Sequence, residues 1–281
     1  MGDSLEAAIV SFTTGLLFVS VIALFRKDVR SGFRQIFSAV NLKLLASWRL
    51  GAGALGASFV AMQTYAVPIA GVALFTVASL AGQTGISLWV DHVGLAGGSR
   101  VIITKRRVIA AIVTILAVVI STWDRFTISN FSLLTIVLAV FSGTWVGVQR
   151  ALNGQINSYS KASFATSLLN FITGTTFLLF LLLLRTLFTD HSVMNFTSGP
   201  WWMFLGGSIG VIYIALSAHI VQYVGVLEFT LFSVGGMLIG SLLIDIIVPT
   251  KGTIISGFLI AGILLTYLGV IANGQSRFSR K

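Results

Sequence analysis

Apolar residues run for roughly 18 to 22 positions before a charge interrupts them, again and again along the chain, and that is the length a helix needs to cross about 30 Å of hydrocarbon. Nine spans are predicted, near Ala7–Phe25, Leu50–Val67, Ile69–Val90, Val108–Trp123, Ser132–Val148, Ser163–Leu184, Trp201–Val221, Phe229–Val248 and Ile254–Ala272. Two of the connections are short and carry no cation. Pro68, ahead of Ile69-Ala70-Gly71, predicts a tight turn after the second span, and Gln222-Tyr223-Val224-Gly225 predicts another after the seventh.

Composition agrees with this pattern. A chain of 281 residues that is 56% hydrophobic and 9% charged cannot fold as a soluble globule around one core, so its apolar runs face lipid. Three prolines against 29 glycines suit helices that approach one another closely where no hydrophobic force drives them together. Without cysteine there is no disulfide, thiolate metal site or thiol nucleophile. The net charge of +10 does not predict a nucleic-acid partner, because the cations sit in loops rather than on one solvated domain.

Those loops set the orientation. Of the 18 lysines and arginines, only Arg125, Arg185 and Lys251 fall on one side of the nine spans, and the other fifteen share the opposite side with the C-terminus. Because cations near span ends resist translocation, the C-terminus is predicted to be cytoplasmic and the N-terminus outside. The acidic opening Met1–Glu6 argues against a cleaved signal peptide, so the first span is expected to stay.

The chain also repeats itself. Ser11-Phe12-Thr13-Thr14-Gly15 corresponds to Asn170-Phe171-Ile172-Thr173-Gly174. A second block pairs Trp48, Gly53, Gly56, Gly71, Val72, Phe75, Thr76, Ser79, Gly82, Ser87 and Asp91 with Trp202, Gly207, Gly210, Gly225, Val226, Phe229, Thr230, Ser233, Gly236, Ser241 and Asp245. The matched spans cross in opposite directions, which predicts an inverted-topology repeat with halves 1–128 and 129–281. The expected fold is an all-α membrane protein with nine transmembrane helices, drawn from two five-helix repeats. The counterpart of Ser132–Val148 would precede Met1, so the first helix of the first repeat is expected to be missing.

The stretch Gly143-Thr144-Trp145-Val146-Gly147-Val148-Gln149-Arg150-Ala151-Leu152-Asn153, the span Ser163–Gly174 ending in NFITG, and Ala81–Leu95 together resemble the YdcZ-type family of the drug/metabolite transporter superfamily. The resemblance covers almost the whole chain. It implies a ten-helix, two-repeat exporter of unestablished substrate, and the chain departs from it by the first helix, which should carry a second glutamine and asparagine pair.

Several polar residues in the spans are candidates for substrate contact. Gln149 and Asn153 lie one turn apart on a shared face, where two amides suit either a polar substrate or the stitching of two helices. Gln83 sits mid-span between Gly82 and Gly85, small neighbours that leave room beside its amide. Tyr213 is a fourth candidate, set against simple core packing, and Asn170 is set against helix contacts. Arg150 at a span end is expected to snorkel to headgroups. Asp91 and Asp245 are expected to anchor helix ends or loops. Trp48, Trp201 and Trp202 are expected to form an aromatic belt.

Glu228 borders the eighth span, and with His219 on the preceding span it is the candidate for proton coupling; the competing reading is a hydrated interfacial glutamate. With no phosphate-cradling loop, no HExxH and no paired carboxylates at helical spacing, neither a pump nor an enzyme is expected, and no cofactor or metal. The expected partners are a small-molecule substrate, the lipid bilayer and, as an option, a second copy of the chain. The function expected is a secondary transporter in the bacterial inner membrane, an exporter of a small polar or amphiphilic metabolite working by alternating access and coupled to an ion gradient. The alternative is a non-transporting membrane partner subunit or a channel-like remnant.

Overall fold

The structure, a computed structural model, describes residues 4–97, 100–121, 123, 133–188, 201–247 and 257–278. The regular elements among them are all helical: α1 Ser4–Phe25, α2 Lys27–Asn41, α3 Ala52–Val93, α4 Lys105–Ser121, α5 Leu133–Ser160, α6 Ser163–Phe188, α7 Leu205–Val224, α8 Val226–Ile247 and α9 Gly257–Phe278. One-turn 3-10 segments, Ser47–Gly51 and Trp201–Phe204, lead into α3 and α7. Five helical stretches are long and apolar enough to cross a membrane, namely Ser4–Phe25, Ser47–Ile69, Leu133–Ser160, Ser163–Phe188 and Leu205–Val224. Val226–Gly240 and Ile260–Gly269 are shorter apolar helical stretches. The chain is a multi-pass membrane protein.

The helices depart from the sequence expectation in three places. Pro68 makes no turn: α3 runs through it for 42 residues. Proline removes the bond its own nitrogen would donate to the Thr64 carbonyl and its ring crowds that carbonyl, but in an apolar setting leaving the helix would strand many more backbone groups. Second, Lys27–Asn41, expected as loop, is a helix with charges on one side and Val29, Gly32, Ile36 and Ala39 buried on the other. A search for uninterrupted apolar runs passes over such an amphipathic helix. Third, α5 continues beyond the expected end at Val148 to Ser160. Its polar residues Gln149, Asn153 and Asn157 are buried, so they extend the helix rather than close it.

Two compact units form, and neither is a continuous half of the sequence. The expected boundary between residues 128 and 129 lies outside the described residues, as do Arg125 and Lys251 and the side chain of Asp245.

The first unit holds α1, α2, the start of α3 to Tyr65, α5 from Val148, α6 and α7 to Tyr223. At its centre the Phe12 and Phe171 rings lie 5.1 Å apart. Each ring also covers a glycine of the other helix: a Cβ on Gly15 would stand inside the Phe171 ring, and one on Gly174 inside the Phe12 ring. A second reciprocal pair follows, because Gly53 sits against the Asn170 carbonyl and Gly207 against the Ser11 carbonyl. Small residues at these crossings allow backbone-to-backbone approach, the form of packing open to helices in lipid. Ala8, Ile9, Val19, Ala57, Leu178 and Val211 fill the space around the two rings.

The second unit holds the rest of α3 from Ala66, α4, α5 up to Gly147, α8 and α9. Here α3 and α5 cross on small residues, Gly82 against the Val140 carbonyl and Gly143 against the Ser79 carbonyl. Leu80, Val118 and Val234 form one apolar cluster, and Ala110, Ala111, Leu227 and Leu231 another.

The start of α8 is held by Asp91, near the end of α3. Its carboxylate accepts the backbone N–H of Val226 at 2.7 Å and of Leu227 at 3.1 Å, and it pairs with buried Arg107. The contacts satisfy two of the amides that a helix start leaves open, where the helix dipole also favours a negative charge. Gly225, the single residue between α7 and α8, has φ +91°. A side chain there would be strained and would press on the Asp91 carboxylate.

Candidate functional site

Within the first unit, α5 and α6 face each other through amides. Gln149 Nε2 donates to Asn170 Oδ1 at 3.0 Å, and Asn170 Nδ2 donates to Asn153 Oδ1 at 2.6 Å. The same Asn170 amide lies 3.0 Å from the Thr166 carbonyl, and the Thr166 hydroxyl donates to Asn157 Oδ1 at 3.4 Å. Gln149, Asn153, Asn157, Thr166 and Asn170 are all buried. The α5 spacing of four residues puts three amides on one stripe, and Asn170 reaches two of them from the facing helix. Gly56 of α3 lies directly over the Gln149 amide, where any Cβ would overlap it.

Arg150 corrects the expectation of a headgroup arginine. It is 6% exposed, donates through Nη2 to the Tyr213 hydroxyl at 2.7 Å, and its guanidinium stands 5.9 Å from the Tyr213 ring centre. Because α5 extends ten residues beyond it, the arginine lies within the helix rather than at its end, and α7 receives it. Tyr213 itself is 41% exposed, so it is not simple core packing, although its hydroxyl accepts from the buried arginine. Arg150 and Asn153, three residues apart on α5, are neighbours on its surface. The cluster of Gln149, Arg150, Asn153, Asn170 and Tyr213 offers amide donors and acceptors beside a fixed positive charge. It suits recognition of a polar or anionic group.

The remaining candidates lie elsewhere. Gln83, in the second unit, is 5% exposed, and its Oε1 is buried without a hydrogen-bond partner among the described residues. The room expected beside it exists on one side only, since Gly82 is closed off by α5 while Gly85 has nothing within 4 Å of its Cβ position. One turn on, the Ser87 hydroxyl shares a hydrogen bond with Thr230 of α8 at 3.3 Å. His219, on α7 in the first unit, is exposed and meets the Tyr223 ring edge-on at 5.3 Å. Glu228 is half-buried in the first turn of α8, in the second unit. Sequence reasoning gives Asn170 a minor part and does not foresee the burial of Arg150. The signal for both is the four-residue rhythm from Gln149 through Asn157, which carries the helix past the arginine.

No curated protein matches the chain. A solved structure titled only "Crystal structure of protein" is similar in fold, with a TM-score of 0.68 at 17% identity, over 96% of this chain and 86% of that one. The family described as "Putative inner membrane exporter, YdcZ" matches residues 1–120 and 134–272, nearly the whole length, and the chain belongs to that family.

Proposed function

We propose that the protein is a secondary transporter that exports a small polar or amphiphilic metabolite across the inner membrane by alternating access, coupled to an ion gradient. The observation that carries this reading is the buried run of Gln149, Arg150 and Asn153 within α5, a helix apolar enough to cross the bilayer. An ionisable side chain in such a helix is expensive, and it is retained where it serves a solute pathway. Gln149, Asn153 and Tyr213 then contact the substrate, with Arg150 taking its most electron-rich group, and Gln83, in the second unit, is a separate contact. Glu228 and His219 are the groups for proton coupling.

Two inverted repeats, residues 1–128 and 129–281, supply the alternation. The reciprocal contacts in the first unit support the repeat: Phe12 and Phe171, Gly15 and Gly174, and Ser11 and Asn170 are each matched positions, and each member of a pair makes the counterpart's contact. A cytoplasmic C-terminus, on the side that holds most of the lysines and arginines, completes the reading.

The test is a metabolite panel read by thermal shift on purified protein. A substrate raises the melting temperature of the wild type and leaves that of Arg150→Gln and Gln149→Ala unchanged. Stabilisation of all three alike would remove the α5 cluster from the substrate site.

A further inference from the structure

We propose that α2 is an interfacial helix that binds the anionic lipid headgroups of the membrane through Lys27, Arg30 and Arg34. At 3.6 residues per turn, the helix sorts its side chains into three bands. Val29, Gly32, Ile36 and Ala39 form the first and are buried against the protein. Gly32 brings this band within contact of Ala162, Ala165 and the Ser160 carbonyl, so the rest of the first unit fixes how the helix is rotated.

Turning one way from the buried band, the next positions are Phe33 and Phe37, with ring centres 5.1 Å apart and Phe37 42% exposed. Beyond them come Arg30, Arg34 and Lys27, all exposed. Turning the other way the positions are Gln35, Asp28 and Ser31. One flank therefore grades from aromatic to cationic while the other is neutral or acidic. That is the order of a helix lying in the plane of the interface, aromatic rings at the acyl boundary and cations at the phosphates.

Charge bookkeeping within the helix singles out the three cations. Arg26 is paired with Asp28, and its hydrogen bond holds the Asp28 carboxyl below the usual carboxylate range, so the two charges cancel. The chain around α2 continues the pattern. Phe25, Leu42, Leu44 and Trp48 are exposed, Lys43 lies between the two leucines, and the Arg49 guanidinium stands 5.4 Å from the Trp48 ring. A nucleic acid or an acidic soluble protein would match the cations and leave these apolar groups in water; an anionic bilayer matches both.

The test uses the full chain in nanodiscs of phosphatidylcholine mixed with phosphatidylglycerol. Native mass spectrometry of the released protein should find phosphatidylglycerol retained over phosphatidylcholine, with Lys27→Gln, Arg30→Gln and Arg34→Gln together lowering that preference by about tenfold or more. A second measurement keeps all three cations: a fluorophore on Phe37→Cys should be quenched by brominated phosphatidylglycerol, and one on Ser31→Cys, around the helix, should not. An unchanged preference in the triple variant, or equal quenching at the two positions, would overturn the assignment.

Discussion

Arg150 of α5 donates to the Tyr213 hydroxyl of α7 at 2.7 Å, so the buried cation of α5 is held by a residue that faces outward over much of its ring. The pair links α5 to α7.

Tyr213→Phe removes the acceptor and leaves a charged donor against an apolar ring. Hydrogen bonds to charged groups contribute about 1.5–3 kcal/mol, so the variant should lose stability by that amount and melt lower. Arg150→Gln combined with Tyr213→Phe should cost less than the two single changes added together. Strictly additive losses in the thermal unfolding of the four proteins would mean that the two side chains do not couple.

Asn170 is the hub of the amide network, because it accepts from Gln149 and donates to Asn153. Asn170→Ala leaves both partners buried and unsatisfied, at about 1–3 kcal/mol for each orphaned group. Gln149→Ala orphans only one partner. The melting temperature should therefore fall further for Asn170→Ala than for Gln149→Ala, and the reverse order would place the network's centre on α5.

The helical spans and the repeated glycines are legible in the sequence because both rest on local rules, apolar length and small-residue spacing. Phe12 and Gly15 match Phe171 and Gly174 by sequence, and the same four residues pack reciprocally in the fold. What the sequence hides is set by tertiary context. Pro68 looks like a turn because propensity is judged one residue at a time, whereas the helix around it is continuous. Arg150 looks like a headgroup anchor when the end of α5 is drawn at Val148, and only the partner helix reveals that the arginine is received by Tyr213. Asp91 reads as an anchor at a helix end, but nothing in the sequence identifies Val226 and Leu227 as what it holds.

The Asp91 carboxylate, Arg107 and Gly225 act as one unit at the start of α8. Asp91→Asn leaves Arg107 as a buried charge without its counter-ion, which costs about 3–5 kcal/mol. Asp91→Asn with Arg107→Gln should recover part of that loss. Gly225→Ala forces φ +91° on a residue with a Cβ, at about 1–2 kcal/mol, before the contact with Asp91 is counted. These three melting temperatures check the arrangement, and a silent Gly225→Ala would contradict the strained turn.

The orientation is open to cysteine labelling because the chain has no native cysteine. Single cysteines replacing Ser129 and Ser192 should react with an impermeant maleimide in intact cells, and one replacing Ser31 should react only after permeabilisation. Labelling at Ser31 in intact cells would reverse the orientation.

The central claim is that solute moves through the protein by way of the Arg150 cluster, and the most direct measurement works with any solute, identified or not. Everted inner-membrane vesicles carrying wild type, Arg150→Lys or Arg150→Gln at matched protein levels are energised in a whole-cell metabolite extract, beside vesicles without the protein, and their contents are profiled by mass spectrometry. The account predicts that at least one small polar metabolite accumulates severalfold in wild-type vesicles. Its level should be reduced in the lysine variant, and in the glutamine variant it should match vesicles without the protein. Identical contents in all four preparations, with the wild type folded and energised, would contradict it.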